Sequence, residues 1–131
     1  MIVVDASVLT NALAFTDGRG QRARAALIQD PEWAAPEHWK AEVFSALRVL
    51  SLGGRITEKY ATHAIRRLAT LVVDQVCLGE LLPEMWRLRT TISGYDAAYV
   101  ALAHVRGLTL LTSDIRLAKA AISHCRTHLV E

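Results

Sequence analysis

The chain has 131 residues, 52% hydrophobic and 21% charged, a balance that suits one globular domain with one core and excludes a disordered chain. No apolar run approaches the ~18 residues of a membrane span, so no membrane association is expected. The start, Ile2-Val3-Val4-Asp5, has no basic leader and no small-residue cleavage site, so a cytoplasmic protein without a signal peptide is expected. The net charge is +2, and 12 of the 15 basic residues are Arg, the side chain best suited to bidentate phosphate contacts.

Ile2–Val4 reads as a first strand and Ala6–Phe15 as the helix after it, broken at Thr16-Asp17-Gly18. Gln21–Gln29 is expected as an Arg-rich helix, and Trp33-Ala34-Ala35 as a strand ahead of Pro36. Val43, Phe44, Leu47 and Leu50 recur at helical spacing and predict a helix over 37–52, capped by Gly53-Gly54. Thr57 caps a further helix running to about Leu71, whose apolar stripe is Ala61, Ala64, Ile65 and Leu68. The residues 71–78 hold a strand candidate, and 80–91 read as helix. Tyr95–Arg106 is a helix of small residues stopped by Gly107. Leu108–Thr112 is a strong buried strand, Ile115–Ser123 a helix, and His128-Leu129-Val130 a last strand. Strands alternating with helices predict an α/β domain over residues 1–131, with a small parallel sheet flanked by helices on both faces.

Four acids stand at junctions of this pattern: Asp5, Glu42, Asp96 and Asp114. Each has an ordinary structural alternative. Asp5 and Asp114 suit helix N-caps, Ser93-x-x-Asp96 suits a capping box, and Glu42 suits the dipole of its helix's first turns. As a set they read differently. Asp5 and Asp114 directly follow the two most strand-like runs, where open α/β sheets place their ligands. Glu42 is read as having no basic residue at positions 38, 39, 45 or 46, so no helical ion pair is expected to explain it. Asp96 adjoins Ala97 and Ala98 on a helix expected to be buried. Clustered carboxylates repel one another unless a proton or cation neutralises them, and hard oxygen ligands suit Mg²⁺ or Mn²⁺. If the four share a pocket, the remaining surface carries 15 bases against nine acids, a field that attracts a polyanion.

The stretches Val3-Val4-Asp5-Ala6-Ser7-Val8, Ala41-Glu42-Val43-Phe44-Ser45-Ala46-Leu47-Arg48, Tyr95-Asp96-Ala97-Ala98-Tyr99-Val100-Ala101-Leu102-Ala103 and Leu110-Leu111-Thr112-Ser113-Asp114-Ile115-Arg116-Leu117-Ala118 occur in this order. In these stretches the chain resembles the PIN-domain ribonucleases, and among them the VapC-type toxins of bacterial toxin–antitoxin pairs. The resemblance spans essentially the whole chain. It implies a metal-dependent endoribonuclease that hydrolyses RNA phosphodiester bonds in line, with no side chain as nucleophile. Asp5, Glu42, Asp96 and Asp114 would be the catalytic, metal-binding acids for Mg²⁺, with Mn²⁺ as a substitute. Ser7, Asn11 and Thr112 match positions of secondary oxygen contacts, with a helix cap, a solvated amide and a strand-end hydroxyl as the plain alternatives. Arg116 and Leu117 occupy positions where many relatives have a further acid, which bears on whether a second ion binds. The resemblance further implies a tRNA or rRNA substrate, an antitoxin protein as partner, and a homodimer.

Arg19, Arg22, Arg48 and Arg116 are the candidates to grip the RNA backbone. The competing readings are a catalytically silent RNA- or protein-binding module of the same fold, and a metal-dependent nuclease acting on DNA. His38, His63, His104, His124 and His128 lack zinc spacing and are expected on helix surfaces. Cys77 and Cys125 are expected as two buried thiols rather than a disulfide. Trp33, Trp39 and Trp86 are expected to pack in the core or an interface, with base stacking as the alternative.

Overall fold

The computed structural model describes residues 1–131 and contains five strands and seven helices. They are β1 (Ile2–Val4), α1 (Ala6–Ala14), α2 (Gly18–Ile28), β2 (Trp33–Pro36), α3 (Trp39–Leu52), α4 (Glu58–Thr70), β3 (Asp74–Val76), α5 (Leu78–Arg87), α6 (Asp96–Arg106), β4 (Leu110–Thr112), α7 (Ile115–Ala121) and β5 (Thr127–Leu129). The strands form one sheet in the order β3-β2-β1-β4-β5, every pair parallel.

Residues Val3, Val4, Leu110 and Leu111 are almost wholly buried, as expected for inner strands covered on both faces. β1 is the central strand, with Val3 opposite Ala34 of β2 on one side and Leu110 of β4 on the other. The chain therefore winds outward from β1 in both directions. The gap between β1 and β4 is the topological switch point, where such sheets open a crevice at the carboxyl ends of their strands.

The core joins α1 and α6 to this sheet. In α6, residues Ala97 to Ala103 are all buried, because Ala, Val and Leu at successive positions let the helix sit against the sheet on one side and α5 on the other. Gly107, at φ +64°, takes the left-handed conformation that ends α6 and turns the chain into β4. No helix is long and apolar enough to cross a membrane.

The predicted elements hold, with shifted ends. α2 begins at Gly18, three residues before the expected start, because the Asp17 side chain accepts a hydrogen bond from the Arg19 N–H and caps the helix. Gly20 is needed there: a Cβ would lie 1.8 Å from the Phe15 carbonyl oxygen. β3 shrinks to Asp74–Val76 because it is an edge strand, with only Val76 buried. α5 starts at Leu78 and ends at Arg87, with Pro83 inside it, and gives way to turns before residue 91. β5 is Thr127–Leu129, one residue earlier than expected. Both cysteines are free, but Cys77 is exposed and Cys125 half-buried, so the expectation of two buried thiols fails. Cys77 precedes α5 at the sheet's edge, where little covers it. Trp39 is core, Trp33 is half-buried, and Trp86 is 68% exposed.

Candidate functional site

Four helix N-termini meet at the carboxyl edge of the sheet. α1 starts after β1 and α7 after β4. α3 starts soon after β2, and α6, whose far end leads into β4, must also begin at this edge. The positive ends of their dipoles favour anions there. Each of these four starts carries one of the four acids.

Asp5 is the deepest, at 5% exposure. Its side chain does not cap α1. Instead Oδ2 accepts a 2.6 Å hydrogen bond from the Ser7 hydroxyl and a 2.9 Å bond from the Thr112 hydroxyl across the switch point. Ser7 Oγ in turn accepts from the Ser113 N–H at 2.9 Å, and Thr112 Oγ1 accepts from the Asp114 N–H at 3.0 Å. These bonds tie the end of β1 to the turn after β4 and fix both hydroxyls as donors to Asp5. Burial pushes the Asp5 carboxyl above the ordinary carboxylate range; the two hydroxyls oppose the shift, and Asp114 adds to it.

Asp114 does cap its helix: Oδ1 accepts from the Arg116 and Leu117 N–H groups at 2.9 and 3.2 Å. Oδ2 makes no hydrogen bond. Asp96 opens α6 without a capping bond, so the Ser93–Asp96 box does not form. Its carboxyl is pushed up to about 6, first by burial and then by the charges of Asp5, Asp114 and Glu42, with Arg116 opposing. Asp96 thus lies within reach of the charges of the other three acids. Asp96, Asp114 and Arg116 line a common cleft with Ser93 and Leu117.

Glu42 corrects an expectation. It is not without a partner on its helix: His38 Nε2, four residues earlier, stands 3.1 Å from Oε1. Tyr99, from α6, donates to the same oxygen at 2.7 Å. His38 is therefore not a surface histidine. Its ring lies against Tyr95 and Tyr99, with centroids 5.2 and 5.5 Å away. Residue-by-residue reading missed both His38 and Tyr99. The available signals were the four-residue spacing from His38 to Glu42 and the placement of Tyr99 one turn after Asp96.

The remaining candidates divide. Asn11 is half-buried one turn beyond Ser7 and makes no side-chain bond to an acid. Of the four arginines, Arg116 lies beside the acids. Arg19 pairs with Asp17 and lies over the Phe15 ring at 3.8 Å. Arg22 donates to the Glu131 carbonyl at 2.5 Å, and Arg48 lines a groove between α3 and α4. His63, His104 and His128 are exposed and His124 is half-buried, none of them near the acids' hydrogen bonds; His128 lies on β5 rather than on a helix.

The donor set is all oxygen, with no thiolate or imidazole required. No three of the His, Cys, Asp and Glu side chains converge closely enough to hold an ion directly. Oxygen donors of this kind suit a hard divalent cation rather than the thiolate and imidazole set of a zinc cage. Mutually repelling acids that raise Asp96 are the electrostatic complement of such an ion.

The sequence model of the PIN domain matches residues 2–123. Ribonuclease VapC3 of Mycobacterium tuberculosis is 41% identical over 119 residues, which is 91% of this chain and 86% of the relative. Among solved structures, Mycobacterium tuberculosis VapC20, described as a sarcin–ricin loop cleaving toxin, superposes with a TM-score of 0.68 at 20% identity, covering 92% of this chain and 95% of that one. VapBC2 from Rickettsia felis, solved with a DNA fragment from its promoter, gives 0.63 at 14% identity over 100% of both chains. These two structures share the fold, and the closer sequence likeness carries the kinship. With a parallel sheet that sets Asp5 and Asp114 at its switch point, and with close relatives named as VapC ribonucleases, the chain belongs to the PIN-domain family, in its VapC branch.

Proposed function

We propose that the protein is the toxin of a toxin–antitoxin pair, an endoribonuclease that hydrolyses RNA phosphodiester bonds with a divalent metal. The observation that carries this is electrostatic: burial first, and then the charges of Asp5, Asp114 and Glu42, push Asp96 up to about 6, with one nearby cation, Arg116, opposing. Such a group of acids is costly without a positive ligand, and it lies where α/β sheets bind theirs. The relatives' names supply the substrate class, RNA.

In this reading Asp5, Asp96, Asp114 and Glu42 hold the ion, Mg²⁺ by preference with Mn²⁺ as substitute. When bound, the ion would supply Lewis-acid charge and would lower the pKa of the attacking water, making its deprotonated, nucleophilic form accessible. The protein's own groups do the rest. Ser7 and Thr112 aim Asp5 by holding its Oδ2. Asp114 uses Oδ1 for the cap, which leaves its other oxygen free, so the same carboxylate would also be able to hold the ion. Arg116, at the mouth, meets the phosphate; Arg19, Arg22 and Arg48 would extend the grip along the backbone. Asn11 offers a further oxygen contact from α1. No serine or histidine is needed as nucleophile. The RNA is a structured one, tRNA or rRNA, met in the cytoplasm.

The partner is an antitoxin, as the two-component complex of the Rickettsia relative supports. A C-terminal segment of it would lay an Arg across the acids, since a guanidinium meets carboxylates in a bidentate fork. A homodimer is supported by exposed apolar side chains, among them Phe44, Leu52 and Trp86 at 51%, 72% and 68% exposure. Sedimentation at micromolar concentration should show a species heavier than 14.4 kDa.

Purified protein should cut total bacterial tRNA and rRNA in Mg²⁺, stop in EDTA, recover in Mn²⁺, and spare DNA of matching sequence. Cleavage that persists in EDTA would end the metal reading, and equal cleavage of DNA would end the RNA assignment. Expression alone should arrest growth, and coexpression of an adjacent small open reading frame should relieve it. A chain that is harmless alone and captures no neighbour contradicts the toxin role.

A further inference from the structure

Glu42 is the one acid of the four that is held by side chains from two different helices. Tyr99 reaches it from α6, across the site, and His38 from the residue just before α3. Both address Oε1, at 2.7 Å and 3.1 Å, and Oε2 makes no hydrogen bond. The tyrosine is wholly buried, and its hydroxyl donates to this oxygen. A carboxylate only accepts, so the matching imidazole tautomer carries its proton on Nε2. The 3.1 Å contact is within ion-pair reach but is not aligned as a hydrogen bond, so both ring nitrogens are buried without a hydrogen-bond partner.

The ring cannot wander. Tyr99 meets it edge-on at 72°, and Tyr95 covers another side at 41°. Its side chain is 14% exposed. The imidazole is wedged between two aromatic rings, and the polar side-chain group it meets is the Glu42 carboxylate.

We propose that His38 and Tyr99 form a clamp on Glu42 Oε1 that aims Oε2 at the bound divalent ion, making His38 a positioning residue of the metal centre. This rests on the nuclease reading above. The clamp answers a problem peculiar to Glu42. Asp5 is braced by two hydroxyls and Asp114 by its own helix, whereas Glu42 has one more rotatable bond and a side chain 27% exposed. Without a brace its carboxylate would swing into solvent, away from its three like-charged neighbours.

Tyr99→Phe removes one oxygen and no carbon, His38→Ala removes the ring, and His38→Gln keeps an N–H donor of similar reach. Calorimetry with Mn²⁺, the Mn²⁺ concentration for half-maximal cleavage of purified tRNA, and melting in EDTA separate aim from packing. His38→Ala and Tyr99→Phe should each weaken Mn²⁺ binding and raise the half-maximal Mn²⁺ by roughly 10- to 100-fold, the usual effect of losing a partner behind a ligand. His38→Gln should recover most of the loss. Melting of Tyr99→Phe in EDTA should not explain the change in Mn²⁺ affinity. If both variants bind Mn²⁺ as tightly as the wild type while the wild type cuts RNA, the clamp is wrong and the nuclease reading stands. If His38→Gln is as impaired as His38→Ala, the ring acts by shape and the clamp is again wrong. A wild type that neither binds Mn²⁺ nor cuts RNA overturns the nuclease reading, and the clamp with it.

Discussion

Asp5 and Asp114 follow equivalent strands on either side of the switch point, yet the fold uses them differently. Asp5 is buried, leaves its helix uncapped, and spends Oδ2 on two hydroxyls that reach it from both strands. Asp114 is half-exposed and gives Oδ1 to two backbone N–H groups of α7. A strand-to-helix Asp is therefore not one kind of residue. At Asp114 the cap and the site coexist, one oxygen for each. At Asp5 the two hydroxyl bonds link β1 to the turn after β4, but they only partly offset the cost of burying the carboxylate.

The largest consequence should appear in activity. Asp5→Asn keeps shape and removes charge, so RNA cleavage should fall by more than about 100-fold, beyond the usual loss for outer-shell partners. The same variant should melt in EDTA no lower than the wild type, because a desolvated, repelled charge is gone. A clearly lower melting temperature would make Asp5 structural and would erase the contrast with Asp114.

Thr112→Val strikes the link between the two. It leaves the Asp114 N–H without its acceptor and removes one donor from Asp5. A buried donor left unpaired costs about 1–3 kcal/mol, so thermal unfolding should show a loss of that order. A loss confined to activity, with stability intact, would mean that the hydroxyl is not tying β4 to the site.

Asp114 itself gives a smaller signal. Asp114→Ala should cost about 1 kcal/mol of stability in EDTA, the typical loss of an N-cap, while Asp114→Asn should cost much less because Asn caps as well as Asp. Both should abolish cleavage. Equal melting of the Ala and Asn variants would remove the cap role.

The smallest effect is the pH dependence. Asp96 has its carboxyl raised from 3.8 to about 6, so the folded chain holds that proton more tightly than the unfolded chain. Stability contributed by this group is present at low pH and is lost as pH rises through the interval from 3.8 to about 6. In EDTA, the change in melting temperature between pH 5 and 7.5 should favour pH 5 more in the wild type than in Asp96→Asn, by a few degrees at most. Identical pH profiles would mean that neither burial nor the three neighbouring acids raise the Asp96 carboxyl.

Much of this was legible in order along the chain. Ile2–Val4 and Leu108–Thr112 were recognisable as strands because strands buried on both faces read as unbroken apolar runs. β3 was blurred because an edge strand has one buried residue, Val76, and its neighbours face water. Asp5 and Asp114 could be placed at strand ends, but only burial and bond partners separate a cap from a braced ligand, and those come from residues over 100 positions away. Tyr99 lies 57 positions from Glu42, beyond any local pattern. His38 was within local reach, four residues before Glu42, but a lone histidine is a weaker sign of an ion pair than Lys or Arg.

The central claim is that these four acids form one unit built for a cation. Melting the wild type and Asp5→Asn against increasing Mn²⁺ at pH 7.5 tests it without any assumption about RNA. A ligand that binds only the folded state raises stability by RT ln(1 + [L]/Kd), about 2.7 kcal/mol at a hundred times Kd. The wild type should climb steadily with Mn²⁺, from a starting point at or below that of Asp5→Asn, and the variant should stay flat. A wild type that does not respond, or a variant that climbs in parallel with it, would contradict the assignment.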